Sequence, residues 1–416
     1  MHRKPKSSYL EKRAVYDRLI PVSKGRRPHM IVVIPCHNEP DLKSTLHSLM
    51  DCDSPKNHIE IIVVINHHNL ADRKVIQQND KTLEVIERFI HSGKDKYPVF
   101  PLYIKDLNDK YAGVGMARKI GMDEACRRLD DDGIIICLDG DCTVSPDYFT
   151  RIEQHFALNP TANGCSIYYE HPTAGQLDQR IYAAIIKYEL HLRYYIHIQR
   201  ICSLPYAYQT VGSSMAVVNK SYKEVGGMNK RKAGEDFYFI HKLIKQGRFS
   251  ECNTTTVFPS PRVSDRVPFG TGRAMTQMLS KEALSFLTYD PESFRIVKAF
   301  VDCFASKKDY QFIPVEIRGF ISNELYDKKI REIESNTTSD RSFLRRFFNW
   351  FDAFYLMKML HHLRDHYFPP MDIIQAVEII DPAIRNMSHL EQLLFYRNRD
   401  KHSSYKFDYG GLKVEL

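Results

Sequence analysis

At 416 residues the chain is too long for one small hydrophobic core, so two domains, or one large domain with an appendage, are expected. Its 43% hydrophobic and 26% charged residues are those of an ordinary soluble globular protein, and no apolar run approaches the roughly 20 residues that span a bilayer. The net charge of +8 suits an anionic ligand, an anionic membrane surface or a solvated surface, but no compact basic run is interleaved with a nucleic-acid motif, so no nucleic-acid partner is expected.

In chain order, residues 1–27 form a polar, basic arm that opens Met1-His2-Arg3-Lys4-Pro5-Lys6 without the apolar segment of a signal peptide. With no membrane span either, the expectation is a cytoplasmic protein, with peripheral contact at the inner face of the membrane as a further option. A first strand is predicted over 30–35 (Met-Ile-Val-Val-Ile-Pro), followed by Cys36-His37-Asn38-Glu39, with Asn38 as an N-cap for the helix that follows. A second apolar run covers 59–65 and ends in Asn66. Helices are predicted over 40–51, 71–92, 114–129 and 146–157, and their alternation with strands argues for a parallel sheet covered on both faces. One long helix rich in Tyr and Ile follows over 178–200, then a strand pattern over 212–218, a helix over 235–247 and a loop over 259–273. From about 274 the pattern is mostly helical to residue 400, and a polar tail ends the chain. Nine scattered cysteines, with no Cys-x-x-Cys pair, read as reduced core residues instead of a disulfide framework or a zinc site.

The run Ile134-Ile135-Ile136-Cys137-Leu138-Asp139-Gly140-Asp141 carries the most chemistry. It reads as a buried strand that ends in two carboxylates. If the chain stays extended, Asp139 and Asp141 point the same way, and Gly140 leaves room for a ligand to approach the backbone. The C-terminal edge of an open α/β sheet is where ligands bind. Two carboxylates with a phosphate-bearing ligand suit Mg²⁺ or Mn²⁺. An ordinary Asp-Gly-Asp turn is the other reading.

Further motifs stand in a fixed order around it. Gly113-Val114-Gly115-Met116-Ala117-Arg118-Lys119-Ile120-Gly121 opens a helix, and Val225-Gly226-Gly227-Met228 precedes Ala233-Gly234-Glu235-Asp236-Phe237. Together with the two strand ends and the Asp-Gly-Asp, this set resembles the family 2 glycosyltransferases of the GT-A fold over roughly residues 28–260. The resemblance implies an α/β nucleotide-diphospho-sugar transferase fold, a mostly parallel central sheet flanked by helices, with a mostly helical C-terminal appendage. The implied domains are the arm at 1–27, the GT-A domain at 28–273 and the helical region at 274–416.

What the resemblance implies for function is a hexosyltransferase-like enzyme that is metal-dependent, non-processive and inverting. It would move a sugar from a nucleoside-diphosphate sugar to the hydroxyl of a glycan, a lipid-linked or a small-molecule acceptor. Pro35, His37, Asn38 and Glu39 are then the loop at the nucleotide, and Arg118 reaches the diphosphate or sugar; an ion pair from Arg118 to Asp139 or another site carboxylate is the alternative. Asp139 and Gly140 line the donor, and Asp139 and Asp141 hold Mn²⁺ or Mg²⁺. Asp236 is implied as the general base, with Glu235 positioning the acceptor. Arg262, Arg266 and Arg273 lie on a Gly- and Pro-containing segment that could close over the diphosphate.

Three departures from the family pattern stand out. Asn66 occupies the place of a frequent Asp that pairs with the base, and an amide reads a nucleobase edge without charge. Lys119 replaces Asn in the Gly-x-x-x-Ala-Arg-Asn-x-Gly pattern. The Gln-x-x-Arg-Trp motif of processive synthases is missing, and the only tryptophan is Trp350. His67 and His68 point in opposite directions if extended, which argues against a shared metal. Residues 342–368 form one amphipathic helical stretch, with Phe343, Phe347, Trp350, Phe351, Phe354, Met357 and Leu360 at spacings of three or four. Packing of the helical region is the favoured reading of that face. Docking on a membrane that bears the acceptor, helped by Arg345, Arg346, Lys358 and Arg364, is the other. A nucleotidyltransferase would carry a Gly-rich basic loop after the first strand, and a non-catalytic nucleotide-sugar-binding protein would not need Asp139, Asp141, Glu235 and Asp236 together.

Overall fold

The computed structural model describes residues 9–22, 25–93, 95–264, 270–280, 284–403 and 405–409. The chain divides into two compact units: Met1–Tyr182, Thr210–Gln277 and Asp400–Ser403 form the first, and Ala183–Gln209, Met278–Arg399 and Ser404–Leu416 the second.

The first unit runs α1 (Tyr9–Arg13), β1 (Met30–Cys36), α2 (Leu42–Met50), β2 (Ile59–His68), α3 (Arg73–His91), β3 (Val99–Leu107), α4 (Val114–Arg128), β4 (Ile134–Cys137), β5 (Cys142–Val144), α5 (Tyr148–Leu158) and β6 (Gly164–Tyr169). After α6 (Gln179–Ile201), which belongs to the second unit from Ala183 on, come β7 (Met215–Val218), α7 (Asn219–Glu224), α8 (Glu235–Ile244), β8 (Phe249–Pro259) and α9 (Thr271–Leu279). The eight strands make one sheet in the order β3-β2-β1-β4-β7-β6-β8-β5. The first four are parallel. Beyond β4 the sheet is mixed: β7 is antiparallel to both β4 and β6, β6 and β8 are parallel, and β5 is antiparallel to β8.

Every residue of β1 and β4 is buried, as continuous apolar runs covered on both faces should be. β3 is an edge strand, which is why Pro101 can sit in it without breaking a ladder on its open side. α4 lies on β1 and β2 at Gly121, where a Cβ would strike Val33 and Val64. The basic arm straps onto the back of α4: Leu19 and Ile20 backbone N–H groups donate to Glu124, and Arg128 donates to the Pro21 carbonyl. Arg128 also forks onto the buried Glu60 of β2 at 2.6 and 2.8 Å.

The second unit contains β9 (Leu287–Thr288), α10 (Pro291–Ala305), α11 (Val315–Arg318), α12 (Asn323–Glu334), α13 (Asp340–Trp350), α14 (Ala353–His366), β10 (Met371–Asp372), α15 (Ile373–Ile380) and α16 (His389–Lys401). The single helical stretch expected over 342–368 is two helices. Asp352 breaks it, because its carboxylate accepts from the Phe354 and Tyr355 N–H groups at 3.1 and 2.9 Å and so caps α14. Of the apolar face of the stretch, Phe343, Phe347, Phe351 and Leu360 are buried and Trp350, Phe354 and Met357 half-buried, and Phe347 stacks on Phe304 of α10 with ring centroids 4.3 Å apart. All nine cysteines are free thiols, eight of them buried. Among the described residues no helix is long and apolar enough to cross a membrane.

Candidate active site

The site lies in the first unit, at the C-terminal ends of β1, β2 and β4. Pro35 is a buried residue of β1, and His37, Asn38 and Glu39 follow the strand. Asn38 is not an N-cap. Asp41 holds that position for α2, and Asn38 takes a left-handed φ of 51° with its N–H donated to the Asn79 side chain at 2.9 Å. The Glu39 carbonyl accepts from Gln78 and Thr82 of α3, and its buried carboxylate accepts from the Asp41 N–H at 2.9 Å. Gln78, Asn79 and Thr82 thus hold this loop. Sequence reasoning missed them, although Asn79 and Thr82 are polar residues on an otherwise apolar face of an amphipathic helix.

Asn66, His67 and His68 are the last residues of β2 and not the start of a loop. The Asn66 carbonyl lies 2.7 Å from His37 Nδ1 and accepts from Asn79 Nδ2 at 3.1 Å, while its buried side-chain Oδ1 has no partner among the described residues. His67 is buried edge-on to Tyr103, and its Nε2 also lacks a partner among those residues. His68 faces the other way and accepts from the Leu70 N–H at 3.1 Å. The two histidines therefore share no ligand position.

β4 ends at Cys137, and the Asp-Gly-Asp is a turn: the Cys142 N–H donates to the Asp139 carbonyl at 3.1 Å. Strand alternation does not apply there, and the two carboxylates meet different arginines. Asp139 Oδ1 accepts from Arg118 Nη2 at 2.5 Å, and Asp141 Oδ2 from Arg262 Nη2 at 3.1 Å. A Cβ on Gly140 would stand 3.2 Å from Glu39 Cγ and 3.3 Å from Cys36 Sγ, so the missing side chain admits Glu39, not a ligand.

Arg118 is the hub. Its buried guanidinium ion-pairs with Asp139 and with Glu235, which stands 117 positions away at the start of α8. Burial opposes its charge, but the two carboxylates outweigh burial and hold its pKa above the ordinary range. The loop leading to Glu235 packs on the start of α4, where a Cβ at Gly115 would fall on the Arg231 carbonyl oxygen. Lys119, the departure from the family pattern, is used structurally: it ion-pairs with Asp123 at 2.8 Å and donates to Tyr9 of the arm at 2.9 Å.

Glu235 and Asp236 separate sharply. Glu235 is 1% exposed, and burial pushes its pKa up to about 7 against the opposing pull of Arg118. Its carboxylate faces Arg118. Asp236 is half-buried; Oδ2 accepts from the Gly212 N–H at 3.0 Å and Oδ1 from the Phe237 N–H at 2.8 Å. Burial raises its pKa too, with Arg118 again opposing.

Arg262 follows β8 and places Nη2 on both Asp141 and Glu39. The loop at 259–273 is shorter than expected, because Thr271–Arg273 already belong to α9, where Arg273 is exposed. Arg266 lies outside the described residues.

The donor set fits a hard divalent cation that arrives with a diphosphate. Asp139 and Asp141 offer carboxylate oxygens, and Mg²⁺-type sites use one or two carboxylates with the remainder from phosphates and water. Among the described residues no group of three or more His, Cys, Asp or Glu converges to hold a metal.

The glycosyl transferase family 2 model matches residues 31–226, and the glycosyl transferase family group 2 model matches residues 134–377. No curated protein matches the chain. Among solved structures, S. aureus TarS 1–349 with UDP-GlcNAc is similar at 15% identity and a TM-score of 0.39, covering 89% of this chain and 88% of that one. TarS 1–349 with UDP gives 14% identity, a TM-score of 0.37 and the same coverage. TarS crystallised beyond those residues gives 16% and 0.36, over 89% of this chain and 54% of that one.

Proposed function

The chain belongs to the family 2 glycosyltransferases, and we propose that it transfers a sugar from a nucleoside-diphosphate sugar to an acceptor hydroxyl, with inversion and with a divalent cation at Asp139 and Asp141. The observation that carries this reading is the pair of carboxylate groups, from two distant parts of the chain, held by the two terminal nitrogens of one guanidinium. Asp139, just after β4, takes Arg118 Nη2, and Glu235, at the start of α8 beside Asp236, takes Nη1.

In this reading the nucleotide lies along the ends of β1 and β2. The unpartnered Asn66 Oδ1 faces a nucleobase donor, and the turn after β4 faces the diphosphate. Asp236 takes the proton of the acceptor hydroxyl as its oxygen attacks the anomeric carbon and the bond from that carbon to the diphosphate breaks. Two backbone N–H groups fix its carboxylate, and burial raises its basicity toward neutral pH. When bound, Mn²⁺ or Mg²⁺ would supply Lewis-acid neutralisation of the diphosphate leaving group. Charge supports the need for it. The carboxylates of Glu39, Asp139 and Asp141 already stand at this end of the sheet, where an anionic diphosphate would add further negative charge.

Calorimetry with UDP and GDP, in Mn²⁺ and in EDTA, tests the reading. Nucleotide binding that requires Mn²⁺ is expected, and equal affinity in the two buffers would overturn the metal assignment.

A further inference from the structure

We infer that Tyr9 of the basic arm is a positioning residue for the site: its side chain is seated between α4 and the loop at 225–234, and so holds the start of α8, with Glu235 and Asp236, in place against Arg118. This rests on the proposed transfer, in which Asp236 is the base, and adds to it a residue outside the site.

α4 carries Arg118 and, one residue on, the buried Lys119. Lys119 Nζ donates to the Tyr9 hydroxyl at 2.9 Å, and that hydroxyl donates to Asp123 Oδ1, also on α4, at 2.9 Å. Tyr222 of α7 completes the cluster: its hydroxyl donates to the same Asp123 oxygen at 2.7 Å, and its ring meets the Tyr9 ring edge-on with centroids 5.5 Å apart. The Tyr9 hydroxyl also reaches Gly227, which has a left-handed φ of 72°. A Cβ at Gly227 would fall on that hydroxyl, so the phenol fills the space this glycine leaves.

Gly227 stands near the start of the loop that leads to the two acids. Two residues on, Asn229 Nδ2 donates to the Glu235 carbonyl at 3.0 Å and ties the loop to the first turn of α8. Further along, the loop packs on α4 itself, where Gly113 and Gly115 leave room for Lys232 and Arg231. Tyr9 therefore touches both sides of the joint that brings Glu235 to Arg118. Tyr9 is itself fastened, because the arm continues along α4: Arg127 Nη2 donates to the Tyr16 carbonyl at 2.6 Å, and Glu124 accepts from the Leu19 and Ile20 N–H groups. Withdrawing the phenol would cost buried Lys119 and Asp123 a partner each. Lys119, where the family pattern has Asn, is thus the residue through which the arm supports the site.

The test compares hydrogen exchange of the full chain in wild type and Tyr9→Ala, with circular dichroism to confirm folding. Residues 227–236 are expected to exchange about tenfold faster in Tyr9→Ala, with α5 as an unchanged control. Tyr9→Phe keeps the ring against Tyr222 and should recover most of that protection. In hydrolysis of a panel of UDP- and GDP-sugars, well below the unfolding temperature, Tyr9→Ala should lower kcat about tenfold or more and leave KM for the donor within about twofold, since a shift of about 1 Å in a reacting group can cost about 10²-fold in rate. The contact itself is tested by Gly227→Ala, made in wild type and in Tyr9→Ala. It should lower Tm less in the second background, because the positive φ strains both alike and the phenol is present only in the first. Unchanged exchange at 227–236, or an equal Tm cost of Gly227→Ala in the two backgrounds, would show that Tyr9 does not hold the loop. Faster exchange with wild-type kcat would overturn the positioning role as well. If wild type hydrolyses none of the sugar nucleotides, it is the transferase reading that fails, and the exchange and Tm measurements still decide whether Tyr9 holds the loop.

Discussion

Replacing Arg118 by leucine isolates the contact on which the site is built. Leucine fills part of the volume and removes both ion pairs, leaving Glu235 and Asp139 without their shared partner. Breaking a buried ion pair by removing one member costs about 3–5 kcal/mol, because the other charge stays desolvated. The two carboxylates do not share that cost equally. Asp139 keeps 35% of its side chain exposed, so water takes over much of its solvation, whereas Glu235 keeps 2% and has no such relief. Arg118→Leu should therefore destabilise the chain by about 3–5 kcal/mol near pH 8, with Glu235 the source of most of it.

The pH dependence distinguishes this cause from simple loss of packing. The folded-state pKa of Glu235 is already raised to about 7 from 4.5, by burial, and Arg118 is what opposes a larger rise. Without Arg118 it moves higher still. A carboxyl whose folded pKa exceeds its unfolded one binds more protons in the native state, so stability falls as pH rises between the two values. Below about 4.5 Glu235 is protonated in both states and contributes nothing to this dependence. The deficit of Arg118→Leu against wild type should thus be largest near pH 8 and shrink toward pH 5. Adding Glu235→Gln to Arg118→Leu should recover part of it, as coupled neighbours do. Urea unfolding followed by circular dichroism, across that pH range, is the assay. A deficit below about 1 kcal/mol, the range of ordinary substitutions, or a deficit that does not change with pH, would refute the hub.

Asp236→Asn should lower turnover by about 10²–10⁴-fold, the usual worth of a general base, with donor affinity little changed in calorimetry. Asp141→Ala should abolish the Mn²⁺ dependence of UDP or GDP binding; a variant still sensitive to EDTA would move the metal elsewhere. Gly115→Val would press on the Arg231 carbonyl and shift the loop that carries Glu235. It should cost about 1–3 kcal/mol in thermal unfolding, and unchanged stability would mean that the loop yields freely. Asn79→Ala removes the side chain that joins Asn38 to Asn66 and should weaken nucleotide binding while leaving Mn²⁺ dependence intact, read by the same calorimetry.

Strands buried on both faces were legible because they are nearly continuous apolar runs: β1 and β4 carry no charged residue, and β2 has only Glu60 before Asn66. β3 was not, since Pro101 and Lys105 break its run and only its place at the sheet edge tolerates them. β8 does not alternate through its first half and is rich in Ser, Asn and Thr, so its pattern resembles a loop. The site motifs were legible as strings, each at the end of a predicted element. Their partnerships were not. Nothing local to Arg118 announces Glu235, and Arg262 stands 121 positions from Asp141 and 223 from Glu39. The break between α13 and α14 had a signal in Asp352, a capping residue inside a continuous apolar rhythm, but periodicity alone runs through it.

Glu235 and Asp236 show why two adjacent acids need a structure to be told apart. On pKa alone Glu235 would be the better base, since a value near 7 matches the pH at which a base works best. Geometry decides first, however. A base must reach the acceptor proton directly or through one water, and the Glu235 carboxylate is spent on Arg118 inside the unit. Its raised pKa records burial, not access. Asp236, one residue on along the helix, points elsewhere: it is half-buried, and the two backbone N–H groups that hold it occupy only half of the roughly four lone-pair positions of a carboxylate. An oxygen fixed in place with a lone pair still free is what proton abstraction requires. Under the proposed reaction the two acids therefore divide the work. Glu235 anchors the start of α8 to Arg118, and through Arg118 to Asp139 on the donor side, and that anchor sets where the Asp236 carboxylate stands.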